Sequence, residues 1–441
     1  MGVDETTLLS EEHYEGYSLG TDGKHYTDYD SDNESDSLTQ EPPEDKFKLV
    51  LITCCALGIS VLFPWNALIT ANNFWSYVFG EDSTFEFWLS AAFNWPQVPM
   101  LLVVTKWGPR FSYTSRIMTS LSIFIVSLLA IPFFCTIGIS LNAKWAITLS
   151  LAFIAGMAQA LNFGTIMGFA AIFPPMYTTA MMSGQGIGGV TIGVLALLFQ
   201  AIIPNAAEGQ AWLYFGCACI IIWATLLIYM YSLRLPYTLY YVKKYYASVE
   251  VHSSGTNGHD GEEGTDAKKQ DMRWYWNIFK KIWVDALTVF FVFFVTLCLF
   301  PGLMLDTELV YTPAVWFNIL IPLIFNIFDT CGRSLPYIEI LRFPPKFLWI
   351  ISAVRVVFFP LFIICVNPVI PKYPEFWVYI LLIFFGTSNG YTGTLAMMYA
   401  PRKVDPEEQQ TVGIMMSFFL NSGIFLATNF AIVLINVVLA W

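Results

Sequence analysis

Eleven apolar runs of bilayer length follow one another along this chain, and they leave it few folds to choose from. A spanning helix needs about twenty predominantly apolar residues, and in the hydrocarbon layer every backbone N–H and C=O must find its partner within the protein. The runs fall near 47–71, 86–105, 115–139, 145–173, 178–203, 211–235, 282–304, 313–341, 346–366, 375–400 and 410–440. They predict an all-α polytopic membrane protein seated in a lipid bilayer. Charged residues are 12% of the 441, against about 25% in soluble domains, which excludes a soluble fold with one greasy face.

The acids behind the formal charge of −11 crowd into the first 45 residues, among them Asp28, Asp30, Asp32, Glu34, Asp36, Glu41, Glu44 and Asp45. That segment is poor in aliphatic residues, so 1–46 is expected to be a disordered acidic tail. It has no apolar stretch with a cleavage site, so the first span itself directs insertion. With the N-terminus in the cytosol, Lys106, Arg110 and Arg116, then Lys243, Lys244, Lys268, Lys269, Arg273, Lys280 and Lys281, then Arg342 and Lys346, then Arg402 and Lys403 all fall on the cytosolic side. The other side keeps Lys144 and Lys372, the asymmetry that sets topology, and eleven spans then put Trp441 outside. A polar, Gly-rich stretch over 247–272 reads as flexible and divides the spans six and five. The expected plan is a six-helix bundle over 47–235, a cytosolic linker over 236–281 and a five-helix bundle over 282–441. A long loop between two bundles is the arrangement of alternating-access carriers of major-facilitator type.

Within the eighth run, Asp329 and Arg333 stand four residues apart, which on a helix puts them on one face a turn apart. A charge at bilayer depth costs about 2.5–3.5 kcal/mol on insertion scales, so such a pair either locks helices together or lines a polar site. In the first run Pro64 frees helix carbonyls and presents Trp65, a flat stacking surface, with Asn66, a donor and an acceptor. Gln159 places an uncharged amide in the fourth run, suited to a base-like edge or to an interhelical hydrogen bond. Phe300-Pro301, a bulky ring beside a helix breaker, is a candidate gate. Arg355 is expected to pair with helix ends on the cytosolic side. Gly184, Gly186 and Gly189 match G-x-G-x-x-G, but the strand–turn–helix context is missing. Gly164/Gly168, Gly184/Gly188 and Gly189/Gly193 read instead as small residues that let helices approach closely.

Other chemistries lack their residues. The four His lie in the polar segments, the eight Cys mostly in apolar runs, and no phosphate-binding loop appears. A membrane enzyme would want a nucleophile with a base at membrane depth. No cofactor, metal or nucleic acid is implied. Only Asp329 and Glu339 read as acids well inside a span.

Leu62-Phe63-Pro64-Trp65-Asn66 with Ile69-Thr70-Ala71, Met182-Ser183-Gly184-Gln185-Gly186, Phe325-Asn326-x-x-Asp329-x-x-Gly332-Arg333, Arg355 and Ser388-Asn389-Gly390-Tyr391 resemble, in order, the signatures of equilibrative nucleoside transporters. The resemblance runs from about Lys46 to the C-terminus. It implies eleven helices in a pseudo-symmetric 6+5 major-facilitator-like arrangement and facilitated diffusion of a nucleoside such as adenosine or uridine, with nucleobases as a further substrate class. It implies that Trp65 and Asn66 line the cavity, with Leu62 and Ile69 of the same motif counted as contacts. It further implies that Gln159 meets the base, and that Asp329 and Arg333, with Asn326 a turn earlier, handle the sugar. Ala160-Leu161 stands where many members carry Gly-Ser, which leaves purine-versus-pyrimidine preference open. The alternatives are a proton-coupled nucleoside or nucleobase carrier of this fold, or a facilitative carrier of another small polar solute such as a sugar. Asp4-Glu5-Thr6-Thr7-Leu8-Leu9 fits an acidic dileucine pattern for a sorting adaptor, which tilts the expected location from the plasma membrane toward endolysosomal or vacuolar membranes.

Overall fold

The computed structural model describes residues 41–80, 84–204, 206–254, 272–305, 307, 309–366 and 374–438. Most of the acidic tail, the Asp4–Leu9 pattern and the Gly-rich stretch 255–271 lie outside the described residues.

All regular structure among the described residues is helical. In chain order the helices are α1 (Leu49–Thr70), α2 (Asn72–Phe79), α3 (Phe85–Asn94), α4 (Gln97–Trp107), α5 (Tyr113–Thr136), α6 (Leu141–Ala171), α7 (Pro175–Ile202), α8 (Ala207–Ser232), α9 (Pro236–Ser254), α10 (Met272–Leu299), α11 (Gly302–Leu305), α12 (Ala314–Ser334), α13 (Leu348–Val354), α14 (Phe358–Val366), α15 (Pro374–Tyr399) and α16 (Gln409–Val438). Nine helical segments among the described residues are long and apolar enough to cross a bilayer. Two more of span length, α12 and α15, hold the polar residues of the eighth and tenth expected spans. The face at which α1 starts is the near face below, and its opposite is the far face.

Local chemistry accounts for the helix ends. Asp45 accepts the Val50 and Leu51 amides at 3.0 and 3.2 Å and so caps α1, while Tyr177 Oη of α7 donates to the same carboxylate at 3.0 Å. Ser112 and Ser140 cap α5 and α6 through the Ser115 and Ala143 amides. Pro174-Pro175, which cannot continue a helix, separates α6 from α7. The helix α1 runs unbroken through Pro64.

Three expectations need correction. The eighth span does not reach residue 341: α12 stops at Ser334, and short 3-10 turns at Leu335–Tyr337 and Glu339–Leu341 follow. Pro336 has no N–H to extend the ladder, so a run that is apolar in composition is not one helix. Glu339 therefore lies beyond α12, exposed in a 3-10 turn and paired with Arg342 at 2.9 Å, rather than well inside the eighth span. Composition does not point to the other buried acids: Asp285, paired with Lys403 at 2.5 Å, Glu408, paired with Lys281 at 2.7 Å, and Glu375, which accepts the Val310, Tyr311 and Thr312 amides at 2.9–3.4 Å. Helix also fills residues 236–254 of the segment expected to be linker, and α10 begins ten residues before its apolar run.

The bundles close on bare backbone. A Cβ at Gly184 of α7 would lie 2.0 Å from the Cys55 carbonyl oxygen of α1, and one at Gly156 of α6 would lie 2.1 Å from that of Phe93 on α3. In the second half, Gly390 of α15 stands 2.0 Å by the same measure from the Asp329 oxygen of α12, and Gly423 of α16 stands 2.4 Å from that of Phe290 on α10. In each pair a later helix sets a glycine on an earlier helix's carbonyl, the close approach that small residues permit.

Hydrogen bonds between the two halves gather toward the near face. Arg402 donates to the Phe173 carbonyl at 2.6 Å, Tyr275 Oη to that of Thr105 at 3.3 Å, and Ser183 Oγ to that of Arg333 at 3.2 Å. Gly186, Gly189 and Gly193 turn the other side of α7 onto Thr330, Asn326 and Leu323 of α12.

Candidate functional site

Asp329 and Arg333 take the one-turn spacing that their sequence positions require, and each is only 2% exposed. Arg333 Nε donates to Asp329 Oδ2 at 2.6 Å. Two glycines bring α15 against this turn. A Cβ on Gly332 would sit 2.1 Å from the Thr387 oxygen, and Gly390 meets the Asp329 backbone from the other side. The contact seats Asn389 beside the carboxylate, where Nδ2 donates to Asp329 Oδ1 at 2.7 Å.

Arg333 also crosses to the first bundle. Its Nη1 donates to the Met182 carbonyl at 3.2 Å and to Gln185 Oε1 at 3.1 Å, both on α7. One guanidinium thus joins the two halves: Nε serves its own helix and Nη1 serves the other bundle. A planar fork of five N–H groups can do this, and an ammonium could not hold the same directions. Gln185 and Met182 were not singled out as site residues. The signal available was an amide in the midst of the glycines of Met182-Ser183-Gly184-Gln185-Gly186.

Arg355 is the C-cap of α13 and opens a 3-10 turn (Arg355–Val357) that leads into α14. Its Nη1 donates to the Phe385 carbonyl at 2.9 Å and to Ser388 Oγ, its Nη2 donates to Thr296 Oγ at 2.7 Å, and its plane lies over the Phe385 ring at 4.7 Å. In place of the expected pairing with helix ends on the cytosolic side, its partners are Thr296 of α10 and Phe385 and Ser388 of α15. The turn tucks the side chain between α10 and α15, where only donors to buried oxygens can be satisfied.

On α1, Leu62, Trp65 and Asn66 are partly exposed and Ile69 is 44% exposed, whereas Phe63, Pro64, Ala67 and Leu68 are buried. Positions i, i+3, i+4 and i+7 thus form one open stripe along the C-terminal half of α1. Trp65 stacks on Phe93 at 4.8 Å, with 25° between the planes. Gln159 is 5% exposed, and its Oε1 has no hydrogen-bond partner. Asn326 is partly exposed and lies against the bare backbone of Gly189. Phe300 stacks on Phe325 of its own half at 4.2 Å, and Pro301 leads into α11. Among the described residues no hydrogen bond or ring contact joins Trp65 or Gln159 to the Asp329–Arg333 pair. The structure therefore assembles Asp329, Arg333, Asn389 and Gln185, and leaves the α1 stripe as a separate wall.

A carboxylate with two oxygens can take about four hydrogen bonds. Asp329 has one protein donor on each oxygen, so acceptor capacity remains for a polyhydroxylated ligand.

The nucleoside transporter family profile matches residues 148–436, which is more than half of the chain. Among curated proteins, the chain is 28% identical over 450 residues to equilibrative nucleoside transporter 2 of Homo sapiens, covering 87% of this chain and 96% of that protein. It is 26% identical over 406 residues to equilibrative nucleotide transporter 1 of Arabidopsis thaliana, covering 89% and 87%. Among solved structures, the major-facilitator proton:xylose symporter XylE superposes with a TM-score of 0.65 at 12% identity, over 90% of this chain and 91% of that one. The fucose:proton symporter FucP of E. coli gives 0.53 at 13% identity, over 86% and 90%. At these identities the structural likeness speaks for the fold alone.

Proposed function

The chain belongs to the nucleoside transporter family, and from that premise we propose that it moves nucleosides across a membrane by facilitated diffusion, its two bundles rocking about the Asp329–Arg333 turn. It is a multi-pass membrane transporter and not an enzyme. The observation that carries the site reading is the sharing of Arg333. The charged group best suited to a ribose is also the group that ties α12 to α7 toward the near face.

In this reading Asp329 and Arg333 take the sugar hydroxyls, with Asn326 one turn above. The α1 stripe of Leu62, Trp65, Asn66 and Ile69 forms the opposite wall, and Gln159, whose carbonyl oxygen is without a partner, answers the base. Phe300 and Pro301 guard the far end. The working units are the bundles over 47–235 and 282–441, with the segment 236–281 between them.

The near face is cytosolic in this proposal, because Lys46, Lys48, Lys106, Arg110, Lys281, Arg342, Lys346, Arg402 and Lys403 lie toward it. The Asp4–Leu9 pattern would then meet a sorting adaptor and direct the protein to endolysosomal or vacuolar membranes. Changing Leu8 and Leu9 to Ala in a tagged protein tests this, since an unchanged distribution removes the adaptor from the account.

The deciding experiment is uptake of radiolabelled adenosine, uridine and hypoxanthine by transporter-deficient cells expressing the chain. Saturable nucleoside uptake that equilibrates without accumulating is the expected result. Uptake of a sugar in place of all three would overturn the reading.

A further inference from the structure

Behind Asp329, on the side away from Arg333, four segments contribute to one line of hydrogen bonds. Arg355 Nη2 lies 2.7 Å from Thr296 Oγ on α10. Thr296 Oγ lies 2.7 Å from Asn389 Oδ1 on α15, and Asn389 Nδ2 lies 2.7 Å from Asp329 Oδ1 on α12. None of the four residues is more than 2% exposed.

Both ends fix the direction of this line. A guanidinium only donates, so Thr296 must accept from Arg355 and has its single proton to give onward. The Val292 carbonyl lies equally near that hydroxyl, but it already stands in the helical ladder, whereas Asn389 Oδ1 has no other donor among the described residues. Turned over, the Asn389 amide would set its oxygen against a carboxylate oxygen at 2.7 Å. Only one orientation satisfies every atom in the line.

We propose that Arg355 is a positioning residue for Asp329, acting through Thr296 and Asn389. The line begins on a full positive charge, and each donor polarises the next. It occupies one lone pair of Oδ1 and holds the carboxylate in one rotamer, so that the remaining lone pairs keep a constant direction toward a ligand hydroxyl. Arg355 is itself immobilised by the Phe385 carbonyl, Ser388 and the Phe385 ring, as a fixed origin requires. The inference rests on the reading of Asp329 as the sugar-side group.

Thr296→Val removes the hydroxyl while keeping the shape, and Thr296→Ser restores it. The measurement is uptake kinetics, per surface copy of the full chain, for adenosine, 2′-deoxyadenosine and 3′-deoxyadenosine. Thr296→Val is expected to raise the adenosine KM about tenfold, the scale of one charge-assisted hydrogen bond. The analogue lacking the hydroxyl that Asp329 reads should shift less than about twofold, because it never had that contact to lose. Thr296→Ser should return the wild-type pattern. Equal rises for all three substrates, or a fall in Vmax with KM unmoved, overturn the proposal. If the wild-type chain takes all three with one KM, the sugar-side reading falls instead. The adenosine KM alone then judges the line: raised by Val and restored by Ser supports it, and unmoved overturns it. Should Thr296→Val not reach the surface, Asn389→Ser breaks the line one step later and leaves the Arg355–Thr296 contact in place; the same selective rise supports the proposal, and its absence overturns it.

Discussion

Asp329 and Arg333 show how far residue spacing alone can be trusted. Their adjacency follows from helical periodicity, but their cover does not: which helix lies over that face is a tertiary matter, decided by the glycines of α7 and α15. Removing either partner leaves a buried charge unmatched, typically at about 3–5 kcal/mol. Arg333→Ala and Asp329→Ala are therefore expected to abolish nucleoside uptake, and surface biotinylation run alongside separates lost transport from lost folding. Normal uptake per surface copy in Arg333→Ala would remove this pair from the site. Gln159 makes the opposite prediction. Its carbonyl oxygen is buried without a partner, so Gln159→Leu relieves a desolvation cost of about 1–3 kcal/mol and should leave stability equal or higher. The same change should raise nucleoside KM several-fold, which uptake kinetics and a melting curve in detergent can read together. Arg355 was the least legible residue, because its partners come from α10 and α15, which no sequence spacing relates to it.

At the scale of elements, small-residue spacing anticipated close helix approaches but not their division of labour. Gly184 and Gly188 turn toward α1, while Gly189 and Gly193 turn toward α12, so one helix carries two different seams. Gly184→Ala would set a methyl 2.0 Å from the Cys55 oxygen and force α7 away from α1. Overpacking of this kind costs about 1–3 kcal/mol, and a lower melting temperature of the purified protein in detergent is the expected outcome. Gly216→Ala on α8 is the control, because nothing lies within 4 Å of its new methyl. The end of α12 was misread for a related reason. Leu335 to Leu341 is apolar enough to continue a span, and composition outweighed the single residue, Pro336, that ends the ladder.

At the scale of the whole molecule, the all-helical, multi-pass plan was legible, because bilayer thickness turns composition directly into element length. The kinship of the two halves was not, since it resides in glycine-on-carbonyl contacts rather than in matching residues. No Na⁺ requirement is expected: the buried acids Asp285, Asp329, Glu375 and Glu408 each already hold protein donors. Uptake measured with choline in place of Na⁺ should be unchanged, and accumulation that collapses in choline would contradict this. The bond from Arg333 to Gln185 has one more consequence, in the timing of the cycle. An empty carrier can open its near face only by breaking that bond with nothing to replace it. An arriving nucleoside competes for the same guanidinium and loosens the clasp as it binds. The unloaded stroke that opens the near face is then the slow one, so cells loaded with labelled nucleoside should release it faster into medium that contains unlabelled nucleoside than into medium without it.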